Sequence, residues 1–181
     1  MRYSLIRKMD ITNGEGLGVA LFVQGCHFHC KGCFNPETWD FSGGKEWNNV
    51  VEQKFFELVN KPYITRITIL GGEPLCNENV EKVKDIICKL RKKYPHKKIW
   101  VYTGYNYENI MFGNKKLDRF SRLRKKTICM VDVLVDGQFE LSKQDLFNDY
   151  IVFAGSTNQR VIDIKKSLLT GKIEIYNSEE Y

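Results

Sequence analysis

Apolar and polar positions follow two rhythms along this chain. Val19–Val23 (VALFV) is a short continuous apolar run, the pattern of a strand buried on both faces. Within Glu46–Val59, the residues Val51, Phe55, Leu58 and Val59 fall at i, i+4, i+7 and i+8, which predicts an amphipathic helix. Ile64–Leu70 (ITRITIL) predicts the next strand, ending at Gly71-Gly72. Val80, Val83, Ile86, Ile87 and Leu90 share one helical face, with Asn77 or Asn79 as the N-cap. Lys98–Tyr102 (KIWVY) predicts a strand, Tyr107–Phe112 a short helix and Leu117–Lys125 a basic helix. Ile128–Val135 (ICMVDVLV) and Tyr150–Phe153 (YIVF) predict two more strands, the first placing Asp132 and Leu134 on one face. After Arg160 the chain alternates apolar and charged residues in VIDI and KIEIY, which predicts a terminal hairpin or edge strands.

Repeated strand–helix order implies βα units, an α/β fold and a mostly parallel sheet. No internal repeat, low-complexity tract or dividing linker interrupts the chain. In such folds ligands collect at the carboxyl ends of the strands. The four main strands run respectively into a cysteine cluster, GGEP (Gly71–Pro74), TGY (Thr103–Tyr105) and Asp136-Gly137. All four segments should share one rim.

The chain has 181 residues and a formal charge of +6, a mildly basic surface that favours an acidic partner or a phosphate. The Lys/Arg clusters, Arg91-Lys92-Lys93 with Lys97-Lys98 and Arg122–Lys126, read as solvated helix faces or turns. They lack the interleaved aromatics of an RNA-binding sheet, so no nucleic-acid partner is expected. MRYSLIRKMD lacks the apolar core of a signal peptide, and no apolar run reaches bilayer length. A cytoplasmic protein with no membrane partner is expected. In that compartment the six cysteines are expected to be thiols, and a tight group of them a metal or redox site.

The group lies in VQGCHFHCKGCF, Val23 to Phe34, as Cys26, Cys30 and Cys33. A structural zinc site wants a fourth ligand, which His27 or His29 would have to supply from beside a ligating cysteine. A [4Fe–4S] cluster held by three thiolates instead leaves one iron open to a small molecule. On that reading the missing fourth thiolate is the binding site. His27 and His29 either hydrogen-bond cluster sulfurs or face solvent. Cys76, Cys88 and Cys129 are irregularly spaced and read as structural thiols.

C-x3-C-x2-C after one strand and GGEP after the next resemble the radical S-adenosylmethionine (SAM) superfamily. NGEGLGVALFVQGCHFHCKGCFNPETWDF, VYTGY, VDVLVDGQFE and GSTNQRVIDI, in that order, resemble within it the activating proteins of anaerobic ribonucleoside-triphosphate reductases, which are glycyl-radical activating enzymes. The resemblance spans most of the chain. It implies a partial, open βα barrel in a single domain, 1–181, with a core of about 14–155 and a segment 156–181 that closes the rim or docks the partner. It implies one [4Fe–4S] cluster on Cys26, Cys30 and Cys33 and SAM chelated at the open iron. Reduction by an external one-electron donor, such as a flavodoxin or ferredoxin, would cleave SAM to methionine and a 5′-deoxyadenosyl radical. That radical would take hydrogen from a glycine of the large subunit of the reductase.

On the same basis Gly32, Cys33 and Phe34 would lie against the adenine. Gly71 and Gly72 would allow close backbone approach, in a loop serving SAM and not the cluster. Glu73 would accept from the SAM ammonium or fix the loop. Thr103 and Asp136 would bind the methionyl end or a cation. Trp39, Phe41 and Gly43-Gly44 would cover the cluster, and Asn158-Gln159-Arg160 would dock the partner or close the rim. Members of the family often carry Arg where this chain has Gly18, so any ligand contact by that arginine would be missing, though the cluster motif is intact. Activation of another glycyl-radical enzyme, small-molecule radical chemistry such as on a deazapurine precursor, and a zinc-binding module without catalysis remain as alternatives.

Overall fold

The computed structural model describes residues 1–113, 118–144 and 153–177. Strand β1 (Arg2–Asp10) turns back through a glycine-rich loop into β2 (Gly18–Val23). The cysteine segment and a 3-10 turn at Pro36–Thr38 lead to β3 (Lys45–Glu46) and helix α1 (Asn49–Val59). Then come β4 (Arg66–Gly71), α2 (Val80–Lys93), β5 (Lys98–Thr103), α3 (Tyr107–Met111), α4 (Arg119–Ile128) and β6 (Val133–Asp136). A 3-10 turn at Leu141–Lys143, β7 (Arg160–Asp163) and α5 (Ile164–Thr170) complete the order.

Among the described residues the strands form one seven-stranded sheet in the order β3-β1-β2-β4-β5-β6-β7. β2, β4, β5 and β6 pair in parallel, with Val23 level with Gly71 and Thr103 level with Asp136. β1, β3 and β7 join antiparallel at the flanks, so the sheet is mixed rather than parallel throughout. It is open: β3 and β7 are its edges. The parallel centre brings all four strand ends to one rim.

Alternate residues of each central strand face opposite ways. Val19, Leu21, Val23, Ile67, Ile69, Ile99, Val101 and Leu134 pack with the apolar stripes of the helices into the main core. From α2 the stripe is Val80, Val83, Ile86, Ile87 and Leu90, all fully buried. On the opposite face stand Ala20, Phe22, Leu70 and Tyr102, then Trp100, Val133 and Val135. The fully buried Arg66 lies on that second face as well.

Several elements begin or end away from the positions that hydrophobic spacing predicts, each for a local reason. α1 starts at Asn49 because Lys45 and Glu46 pair with Tyr3 and Arg2, and the Asn48 side chain then accepts from Val51 N at 3.0 Å. Asn79 sits at the N-cap of α2, but its amide instead donates to Gln24 O (2.9 Å) and Glu73 O (3.1 Å). Ile128 closes α4, and β6 begins only at Val133. Asp132 therefore precedes the strand, where it accepts from Ile99 N at 2.7 Å and pairs with Arg91 and Lys165. Of the terminal hairpin or edge strands expected, an edge strand forms: β7 is an edge of the sheet, α5 follows it, and among the described residues KIEIY meets β7 through an antiparallel bridge between Ile162 and Ile175. Residues 150–152 of the YIVF segment, and Leu117, lie outside the described residues. Parts of the basic clusters are not solvated: Arg91 binds Met130 O, and buried Lys97 donates to Val59 O and Lys61 O.

Candidate metal and cofactor site

The rim is assembled backbone against backbone. Leaving β2, Gly25 N donates to Thr38 O (2.7 Å) and Cys26 N to Trp39 O (3.1 Å), so the 36–44 loop backs the cysteine segment. Gln24 fastens that loop by donating to Glu37 O and Asp40 O, and the Phe41 ring lies against Gly25 and His27. Leaving β4, Gly72 N donates to Val23 O and Glu73 N to Gly25 O, each at 2.8 Å. A Cβ on Gly72 would stand 2.5 Å from Gly25 O. Glycine at 72 is thus required by the packing of GGEP on the cysteine segment, whatever it does for a ligand. The GGEP loop and the cysteine segment thus pack as one unit.

Glu73 is buried, and both its oxygens are engaged. Oε1 accepts from Leu75 N (2.8 Å) and Thr103 Oγ1 (2.7 Å), and Oε2 from Gly104 N (2.8 Å). Burial pushes its carboxyl up to about 7, against those three donors. Of the two roles read for it, the geometry supports fixing the loop: Glu73 ties the end of β4 to the end of β5.

Cys26, Cys30 and Cys33 are each partly exposed and line one cavity of about 500 Å³. Gly71, Gly72, Glu73, Thr103 and Phe34 line it too. Gly32 and Asp136 do not. A Cβ on Gly32 (φ 75) would meet the Leu141 side chain, and Asp136 accepts from Tyr107 N (2.8 Å) and Arg160 Nε (2.9 Å) below the rim. The remaining walls escaped sequence reasoning, apart from Gln159: Arg7, Thr12 and Asn13 come from the first strand and its loop, Phe22 and Tyr102 from the sheet, and Gln138, Phe139 and Gln159 stand opposite. Phe22 and Tyr102 were findable, because they alternate with the core residues of their strands. The far wall is tied down by Gln159, which donates to Gly137 O and accepts from Gly155 N, each at 2.8 Å, and by Asn158, which donates to Gln138 O. The Asn158-Gln159-Arg160 segment is thus hydrogen-bonded into the wall opposite the cysteines.

The thiols fit a cluster in one specific respect. Asn35 N donates to Cys33 Sγ at 3.4 Å, and backbone amides of Phe28 and His29 lie near Cys26 and that of Phe139 near Cys30. Burial pushes the Cys26 and Cys30 thiols up, and these amides oppose it by favouring thiolate. Amides aimed at sulfur are the outer-shell contacts that tune iron–sulfur sites. Among the described residues no three His, Cys, Asp or Glu side chains converge on a point that would hold a single metal ion. The histidines are engaged elsewhere: His27 Nε2 lies 3.0 Å from Glu78 Oε1, and His29 stacks on Trp39.

The glycine-rich loop before β2 is held by Arg66. Its guanidinium donates to the carbonyls of Asp10 (2.6 Å), Asn13 (2.7 Å) and Glu15 (3.1 Å), and pairs with Asp10 Oδ2 at 2.9 Å. Burial works to raise the Asp10 carboxyl, but hydrogen bonds from Arg66, Asn13 and Arg7 outweigh it and hold it below the ordinary value. A Cβ on Gly18 would stand 2.7 Å from Arg66 Cζ. The space beside Gly18 is therefore filled by the Arg66 guanidinium.

Comparison with known proteins agrees with this chemistry. Residues 12–162 match the family model described as a 4Fe-4S single cluster domain. The chain is 35% identical over 161 residues to the anaerobic ribonucleoside-triphosphate reductase-activating protein of Haemophilus influenzae, covering 88% of this chain and 96% of that protein. It is 34% identical over 163 residues to the protein of the same name from Escherichia coli K12, covering 89% of this chain and 97% of that protein. With the one from enterobacteria phage T4 the identity is 33% over 163 residues, covering 89% and 93%. No helix among the described residues is long and apolar enough to cross a membrane. Three thiols on a strand-end rim, a cluster-domain match and similarity along nearly the whole chain place this protein in the family of anaerobic ribonucleoside-triphosphate reductase-activating proteins.

Proposed function

We propose that this chain is a radical SAM activase that generates a glycyl radical on an anaerobic ribonucleoside-triphosphate reductase. The observation that carries the reading is the shared cavity: three thiols and the GGEP and TGY turns open into the same space. Cys26, Cys30 and Cys33 would hold one [4Fe–4S] cluster. When bound, the cluster supplies one electron to the SAM sulfonium, releasing methionine and a 5′-deoxyadenosyl radical that takes hydrogen from the α-carbon of a glycine. The chain's own part is positioning and shielding. Gly71 and Gly72 let a ligand approach the backbone, and Phe34, packed on Phe139 with centroids 5.0 Å apart, offers an aromatic wall. Glu73 and Thr103 keep the two strand ends in register beneath it. Gly32 and Asp136 act indirectly, by shaping the Cys30–Cys33 turn and by fixing Arg160.

In this reading 1–181 is one cytoplasmic domain that takes electrons from an external one-electron donor. The test is anaerobic incubation with SAM, a reductant and the reductase of the same source, followed by EPR. The expected result is a doublet on the reductase that collapses when the reductase carries α-deuterated glycine. A signal unchanged by deuteration, or efficient turnover of a small molecule with no partner present, overturns the reading.

A further inference from the structure

We propose that the free edge of β1, from Ser4 to Met9, receives an extended, glycine-bearing segment of the reductase, which adds to the sheet as an extra strand. This rests on the function proposed above and names where the partner enters.

The edge is open where it matters. β3 pairs only with Arg2 and Tyr3, and among the described residues no strand lies along the outer side of β1 beyond them. An uncovered edge presents a row of N–H and C=O groups to any extended chain. The edge also carries exposed apolar side chains: Leu5 is 47% exposed, Met9 65% and, just past the strand, Ile11 73%. Single exposed apolar residues mean little, but three within seven positions on an unpaired edge form a surface that a partner would cover.

Continuity with the cavity selects the occupant. Arg7 lies in register with Ala20 and Leu5 with Phe22, so both stand on the cavity face of the sheet. The Arg7 guanidinium is 5.1 Å from the centre of the Phe22 ring, and both residues line the cavity that contains the three thiols. A strand laid beside β1 would therefore direct every second residue towards that cavity. A glycine there brings its α-carbon in with no side chain between. A second copy of this chain would cover the edge but put no hydrogen donor in the cavity. The Asp10–Arg66 network anchors the end of β1, so the edge is pre-formed and docking need not order it.

Hydrogen exchange on the cluster-loaded protein, with and without the reductase, tests the placement without SAM or reductant. Amides within 4–9 are expected to gain about tenfold or more in protection on mixing. In parallel, the variant Met9→Asp puts charge on an exposed position of the edge. It should raise the reductase concentration giving half-maximal radical yield by about tenfold or more, while SAM cleavage without the reductase stays at the parent rate. Unchanged protection of 4–9, or an unchanged half-maximal concentration, overturns the proposal. So does protection that grows with the concentration of this protein alone together with a sedimenting dimer, which assigns the edge to self-association. If the radical chemistry itself fails, the exchange result still reports on the edge.

Discussion

The two faces of the central sheet are built from alternate residues of the same strands, yet they are held together differently. Towards the helices, Leu21, Ile67, Ile69, Ile99 and Leu134 meet the stripe of α2 in a dry apolar core. Towards the cavity, the same strands present Phe22, Arg66, Thr68 and Tyr102, and a guanidinium with no solvent exposure does what apolar packing does on the other side. The apolar face tolerates any residue of suitable shape. The cavity face depends on particular donors, acceptors and glycines, and that dependence is what allows it to be hollow.

The largest expected effect compares the two faces directly. Arg66→Met leaves the Asp10 carboxylate buried without its main partner, which costs ~3–5 kcal/mol. Ile86→Ala, in the apolar core, costs a similar ~2–5 kcal/mol by transfer and cavity terms. Urea denaturation should thus rank the two close together. Their functional readouts should separate: Arg66→Met frees the 10–16 loop and should disturb the cavity wall at Thr12 and Asn13, whereas Ile86→Ala should leave iron content and SAM affinity per folded molecule unchanged. Equal loss of SAM affinity in both variants would erase the distinction between the faces.

A smaller effect is expected at Gly72. A methyl group there meets Gly25 O, a backbone atom, and must push one loop away from the other. Overpacking of this kind costs ~1–3 kcal/mol. Because Gly25 precedes Cys26, Gly72→Ala should lower iron retention as well as SAM affinity. If iron content after anaerobic reconstitution stays at the parent level while SAM binding falls, the two loops act separately after all.

The contrast between the faces also explains what could be read from the sequence. The helix-facing residues repeat at 2 and 3.6 positions, so β2, β4, β5 and α2 were legible within a few residues. The cysteine spacing and GGEP were legible because their chemistry is local. Arg66 was not: inside ITRITIL it reads as a solvent-facing position of a half-buried strand, and nothing local shows that the carbonyls of a distant loop enclose it. β1 was missed for a related reason. Its outer half is exposed, so MRYSLIRKMD carries little of the burial pattern that marks a strand. Asp136 was assigned to the rim from its position at a strand end, but a strand end fixes only the backbone; Arg160, far along the chain, decides where the carboxylate is spent.

The smallest expected effect lies on that same arginine, where the cavity face meets solvent. Arg160 donates to both oxygens of Glu108, at 2.8 and 2.7 Å, while also holding the buried Asp136. Its hydrogen bonds pull the Glu108 carboxyl down from the usual 4.5 to about 2. A depressed carboxylate contributes stability above its unfolded value and loses that contribution as pH falls through the folded one. The Glu108 contribution should therefore be complete above pH ~5 and fade towards pH ~2. Glu108 is 47% exposed, so solvent screening limits it to under ~1 kcal/mol, well below what the shift alone implies. Glu108→Gln should be slightly less stable than the parent in urea at pH 6, with the gap narrowing at pH 3 and also on adding salt at pH 6. A gap that is as wide at pH 3 as at pH 6 would mean that Glu108 acts through shape and neutral hydrogen bonding. Asp136 would then be the charged partner that matters to Arg160, and the exposed ion pair would add nothing beyond a neutral hydrogen bond.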